Sequence, residues 1–139
     1  MNTTALMFLF TTVTAKLGLP AHLLPSLCYV ESTHKIEAIN YNDGGSNSVG
    51  VCQIKLKTAK WLGFKGTEKE LMLPKNNIYY AGLYLKYQIK RYNGNYTKAI
   101  IAYNMGNARA LTQTNYSAKV NKVWKTTMME VKENENNNN

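Results

Sequence analysis

At 139 residues the chain has the length of one domain. Hydrophobic residues are 45% and charged residues 18%, which excludes a wholly disordered polymer. Lys plus Arg is 17 against 8 Asp plus Glu, a net charge of +9 that favours anionic partners: nucleic acid, an acidic membrane or acidic cell-wall polymer.

The first expected element is a buried helix from Thr3 to Leu17, capped by Thr3 or Thr4 and stopped by Gly18. Its apolar run, Ala5–Phe10, is far shorter than the ~20 residues a bilayer span needs. No basic residue precedes that run, so it makes a poor secretory signal; use as a signal is the alternative, and it would remove core. No stable membrane insertion is expected. Pro20 opens a second helix running to about Ser32, with Pro25 bending or tightening its early turns. Residues 40–49, Asn-rich with Gly44-Gly45, are expected to form one long polar loop.

A short helix follows around Leu56–Leu62, stopped by Gly63. Thr67 and Glu70 have the spacing of a capping box, opening a short turn before Pro74. A longer helix is expected from about Asn76 to Tyr92, with Ile78, Gly82, Leu85 and Ile89 on one face. Thr97–Asn104 forms another, stopped by Gly106. Ser117 is expected to cap the last helix, on which Val120, Val123, Trp124, Thr127 and Val131 follow the helical period. The fold class is all-α over residues 1–131, and the Asn-rich tail 132–139 is expected to be disordered.

Two cysteines, Cys28 and Cys52, and two histidines, His22 and His34, match no metal spacing, so no metal and no cofactor is expected. At most one disulfide can form; the expectation is two buried thiols.

One carboxylate stands out. Leu24, Leu27, Cys28 and Glu31 lie at offsets of 0, 3, 4 and 7, hence on one helical face. A carboxylate on a buried stripe is unusual. Burial and the negative end of the helix dipole both disfavour its charge, so Glu31 should hold its proton nearer neutral pH than a free Glu. A general acid needs that property. The alternative is a helix-end Glu bent into solvent or paired with a Lys.

Four ordered motifs carry a resemblance. Leu19-Pro20 is followed by Tyr29-Val30-Glu31-Ser32. Gly50-Val51-Cys52-Gln53-Ile54 is followed by Thr58-Ala59. Asn77-Ile78 precedes Gly82 and Tyr84-Leu85. Ala102-Tyr103-Asn104-Met105-Gly106 comes last. Over about residues 19–124 the chain resembles the soluble lytic transglycosylases, lysozyme-fold enzymes that cut peptidoglycan. It departs from them in a longer segment between Glu31 and Gln53, in Cys52 where Met is usual, and in Asn40 where many relatives have Ser or Thr. The Ala38-Ile39-Asn40 run is closer to members from phage particles and conjugation machines.

The resemblance implies a lysozyme-like helical fold of the goose type, with the polar loop over the active-site cleft. It implies Glu31 and Tyr103 as catalytic residues, and Asn40, Ser48, Gly50, Gln53 and Asn104 as substrate-binding residues. The implied reaction cleaves the bond from N-acetylmuramic acid to N-acetylglucosamine and leaves a 1,6-anhydro ring, with Glu31 as acid and then base. The implied partner is the peptidoglycan glycan strand, met by a monomer outside the cytoplasmic membrane, as a phage endolysin or a virion protein. Two other readings share the fold: a hydrolytic lysozyme in which Asp43 directs water, and a non-catalytic wall-binding or assembly protein. Charge alone motivates a nucleic-acid binder. No helix carries a dense basic face, so no nucleic-acid partner is expected.

Overall fold

The structure, a computed structural model, describes residues 1–139. Seven helices and one small antiparallel sheet make up the chain. Helix α1 spans Thr3–Leu17 and ends at Gly18, whose φ of 65° closes it in the left-handed conformation. Its cap is Asn2, one residue ahead of the expected threonines; the Asn2 side chain accepts from the Ala5 N–H at 2.8 Å. Helix α2 covers Leu23–Ser32, starting three residues later than expected because Pro20–His22 form a turn with His22 at φ 66°. Pro25 therefore falls in the first turn of α2, where an amide N–H has no intrahelical acceptor to lose.

The expected polar loop is instead a hairpin. Strand β1 is Ile39–Asp43, β2 is Ser46–Val49, and β3 is Ile54–Lys55, in the order β1-β2-β3. The register pairs Ile39 with Val49, Asn40 with Ser48, and Val49 with Ile54. Gly44 and Gly45, at φ 65° and 92°, supply the left-handed pair that tight hairpin turns require. The strands hide from composition because β1 is exposed from Asn40 to Asp43 and shows no apolar alternation.

Helices α3, Leu56–Trp61, and α4, Glu68–Met72, follow. The capping box is present at the head of α4: Thr67 and Glu70 satisfy one another's N–H groups. Helix α5 runs Pro74–Arg91, and α6 runs Tyr96–Met105 with Gly106 at its end in the left-handed conformation. Helix α7 is Asn115–Asn137, capped by Thr114; Ser117, the expected cap, is the reciprocal residue of that capping box. The tail also differs from expectation. Residues 132–137 continue α7 with every side chain exposed, since a helix already nucleated gains one hydrogen bond per added residue.

The main core joins α1, α2, α5, α6 and α7, with Phe10, Leu23, Leu24, Leu27, Ile78, Leu85 and Ile100 at 2% exposure or less. A smaller core under the sheet joins Val49, Ile54, Ala59, Phe64 and Leu71. Gly82 lets α1 approach α5, since a Cβ there would sit 2.8 Å from Val13. No helix is long and apolar enough to cross a membrane.

Candidate active site

A cleft of about 220 Å³ opens between the sheet and α6. Helix α2 brings Glu31 to it from the end of the buried Leu24–Leu27–Cys28 stripe. Asp43 and Ser48 enter from the hairpin, Gln53 from the bend before β3, and Tyr103 and Asn104 from the last turn of α6. Five residues read from the sequence thus line the same cleft: Glu31, Ser48, Gln53, Tyr103 and Asn104.

The Glu31 carboxyl is raised from 4.5 to about 7. Burial is the main cause, and the Asp43 charge adds to it; a hydrogen bond from Tyr116 acts in the opposite direction. That bond is short, 2.6 Å from the Tyr116 hydroxyl to Glu31 Oε2. Tyr116 belongs to α7, 85 residues away in sequence, and was not among the residues read from the sequence. Its own pKa is pushed up by burial and by the neighbouring Glu31 charge, so it stays protonated and keeps donating. Ser32 anchors the end of α2: its hydroxyl donates to the Val51 carbonyl at 2.6 Å.

The two cysteines are joined, contrary to the expectation of free thiols. Cys28 and Cys52 form a disulfide with Cα atoms 4.4 Å apart. The bond ties the turn of α2 just before Glu31 to the residue next to Gln53. A thiol pair in the oxidised state is at home outside a reducing cytoplasm.

Tyr103 is buried, and its hydroxyl donates to the Cys52 carbonyl at 2.7 Å. Burial first, then the charge of Glu31, hold the Tyr103 phenol well above its usual pKa. The group is therefore neutral, close to Glu31 and committed to the backbone of the loop that carries Gln53. Gln53 sits at φ 52° and spends both hydrogens of its amide nitrogen on the Ala38 and Gly50 carbonyls, at 3.0 and 2.9 Å. Its Oε1 is what it can offer a ligand. Ser48 is 2% exposed and donates to Asp43 Oδ2 at 2.5 Å, while Lys55 Nζ donates to the Asp43 carbonyl.

Asn40 and Gly50 lie elsewhere. Asn40 is an exposed β1 residue paired with Ser48 and does not line the cleft. Gly50, at φ 84°, faces the Asn77 side chain; a Cβ there would stand 2.2 Å from Asn77 Nδ2. The space glycine leaves is used by the protein itself. Asn77, fully buried on α5, donates to the Val49 and Leu71 carbonyls and accepts from the Cys52 N–H at 2.8 Å. It staples the loop between β2 and β3 to the body of the molecule. Of the tyrosines on α5, Tyr84 lines the cleft, while Tyr80 packs edge-on against Phe64 in the smaller core.

A helical body with a small sheet on one side, and a desolvated carboxyl at the end of a core helix facing a polar cleft, define a lysozyme-like glycosidic-bond-cleaving domain. The family model of the Transglycosylase SLT domain matches residues 8–125. The chain belongs to that family, the soluble lytic transglycosylases, and is an enzyme of peptidoglycan cleavage. No curated protein and no solved structure matches the chain.

Proposed function

We propose that the chain cleaves the β-1,4 bond from N-acetylmuramic acid to N-acetylglucosamine by non-hydrolytic transglycosylation, with Glu31 as the one acid–base group. The observation that carries this reading is the Glu31 carboxyl, raised to about 7 in the cleft and held by Tyr116. Protonated Glu31 gives its proton to the glycosidic oxygen as the C1–O bond breaks. The substrate's N-acetyl group stabilises the positive C1. The Glu31 carboxylate then takes the proton of the C6 hydroxyl as that oxygen bonds to C1. The 1,6-anhydro ring closes, and Glu31 regains its proton with no water consumed.

Gln53 and Asn104 are the sugar contacts in this reading, and Ser48 acts with Asp43 on the opposite wall. Tyr103 positions the Gln53 loop through the Cys52 carbonyl. The catalytic domain is the monomeric unit 1–131. The Ala38–Asn40 run supports a phage setting, as an endolysin or a particle-borne enzyme opening the wall.

Mass spectrometry of soluble products from purified peptidoglycan tests the reaction. Muropeptides lighter by one water than the hydrolysis products are expected, and Glu31→Gln should lower their release by about 10²–10⁴-fold. Reducing-end sugars as the main product would overturn it. A hydrolytic second reading rests on Asp43, which shares the cleft and raises the Glu31 pKa by its charge. It requires a carboxylate opposite the acid to direct water.

A further inference from the structure

Beyond Tyr84 the cleft continues into a second groove of about 320 Å³. The two share Thr58, Tyr84 and Gly106 in their linings, so they lie side by side. Its far side is built by Trp61 at the end of α3 and Tyr87 on α5. Trp61 is 61% exposed, a large indole surface left in water. It is nonetheless held: the Trp61 and Tyr87 rings meet edge to face, centroids 4.8 Å apart. Such a fixed flat surface matches the C–H face of a pyranose ring.

The charge of the groove is one-sided. Lys57 and Arg91 line it and no acid does. Arg91 is pre-set by two hydrogen bonds from Nη1, to the Gly106 carbonyl at 2.9 Å and to Gln88 Oε1 at 3.3 Å. Three of its five N–H donors remain. A neutral sugar asks for no cations. Two cations beside a stacking ring ask for a sugar that carries carboxylates, and the peptide arm of a muramyl unit ends in them.

We infer that this groove is a subsite for a peptide-bearing muramyl residue of the strand being cut, its ring on Trp61 and a peptide carboxylate on Lys57 and Arg91. The inference rests on the proposed action at Glu31, and it makes the enzyme selective for glycan that still carries its acidic peptides.

Calorimetric titration of the Glu31→Gln protein tests it, with two soluble probes: a peptide-bearing peptidoglycan tetrasaccharide, and the same tetrasaccharide stripped of peptide by an amidase. Trp61→Ala should weaken both by about 10-fold. Lys57→Gln and Arg91→Gln should each weaken only the peptide-bearing probe, by about 3-fold. Lys57→Gln, at an exposed residue, guards against a folding artefact at Arg91. Equal affinities for the two probes, or full affinity after Trp61→Ala, would overturn the subsite and leave Glu31 untouched. Failure of either probe to bind, together with no product from the wild-type enzyme, would overturn the subsite and the proposed reaction together.

Discussion

The Tyr116 hydroxyl donates a 2.6 Å hydrogen bond to Glu31 Oε2, so the last helix of the chain sets the proton affinity of a carboxyl on the second. The bond favours the carboxylate and partly offsets the burial that raises the pKa to about 7. In Tyr116→Phe that offset is lost and the pKa rises. A hydrogen bond to a charged group is worth about 1.5–3 kcal/mol, or one to two pH units. The alkaline limb of kcat/KM, which in the proposed reaction reports loss of the Glu31 proton, is expected to move up by about one unit or more. An unmoved limb would detach Tyr116 from the titration.

Asp43 acts with the opposite sign. Its charge raises the Glu31 pKa, so Asp43→Asn lowers it and moves the same limb down, by less than about one unit. The Asn side chain still accepts from Ser48, which preserves the hairpin. Anhydro products are expected to persist in this variant. Loss of turnover with intact folding would favour the hydrolytic reading.

The raised pKa also has a stability consequence. Glu31 titrates near 4.5 unfolded and near 7 folded, so between those values the folded state binds more protons than the unfolded one. Stability is full below about 4.5 and is lost as pH rises to about 7, by about 3 kcal/mol in all. Glu31→Gln removes this term. The melting temperature of the variant should therefore match wild type at acid pH and exceed it above pH 7, a gap that parallel thermal scans will measure.

The Cys28–Cys52 bond closes a loop across 24 positions, for which chain entropy gives a stabilisation of ~3 kcal/mol. Reduction, or Cys28→Ser with Cys52→Ser, should lower the melting temperature by several degrees. Activity should fall further than the loss of folded protein explains, because the bond also fixes Gln53 relative to Glu31. Equal losses of activity and of folded protein would make the bond purely structural.

Much of the site is legible in the chain because its signals are local. The Leu24–Leu27–Cys28–Glu31 stripe marks a carboxyl on a core face, and it is indeed desolvated. The Thr67–Glu70 box and the glycines at 18 and 106 fix element ends within a turn of the backbone. The hairpin hides behind a polar-loop composition because its outer strand buries little, although Asp43-Gly44-Gly45 is a turn signal that points to it. The disulfide had a clue as well: Cys52 lies inside a site motif beside Gln53, and Cys28 directly precedes another, a turn before Glu31. The resemblance counts Gly50 among the substrate-binding residues, whereas the neighbour its missing Cβ makes room for is Asn77. Tyr116 had no local signal at all. Its partner lies 85 positions away, and only tertiary packing of α7 against α2 brings them together.

A carboxyl poised at about 7 is a proton store half full in neutral water. Emptying it and refilling it then cost nearly the same free energy. In the reaction proposed for Glu31, neither the half that lends out the proton nor the half that takes one back becomes a trap. A carboxyl left at 4.5 would be empty in more than about 99% of molecules at neutral pH. Its turnover would wait on the rare loaded enzyme, and the few residues that desolvate Glu31 remove that wait.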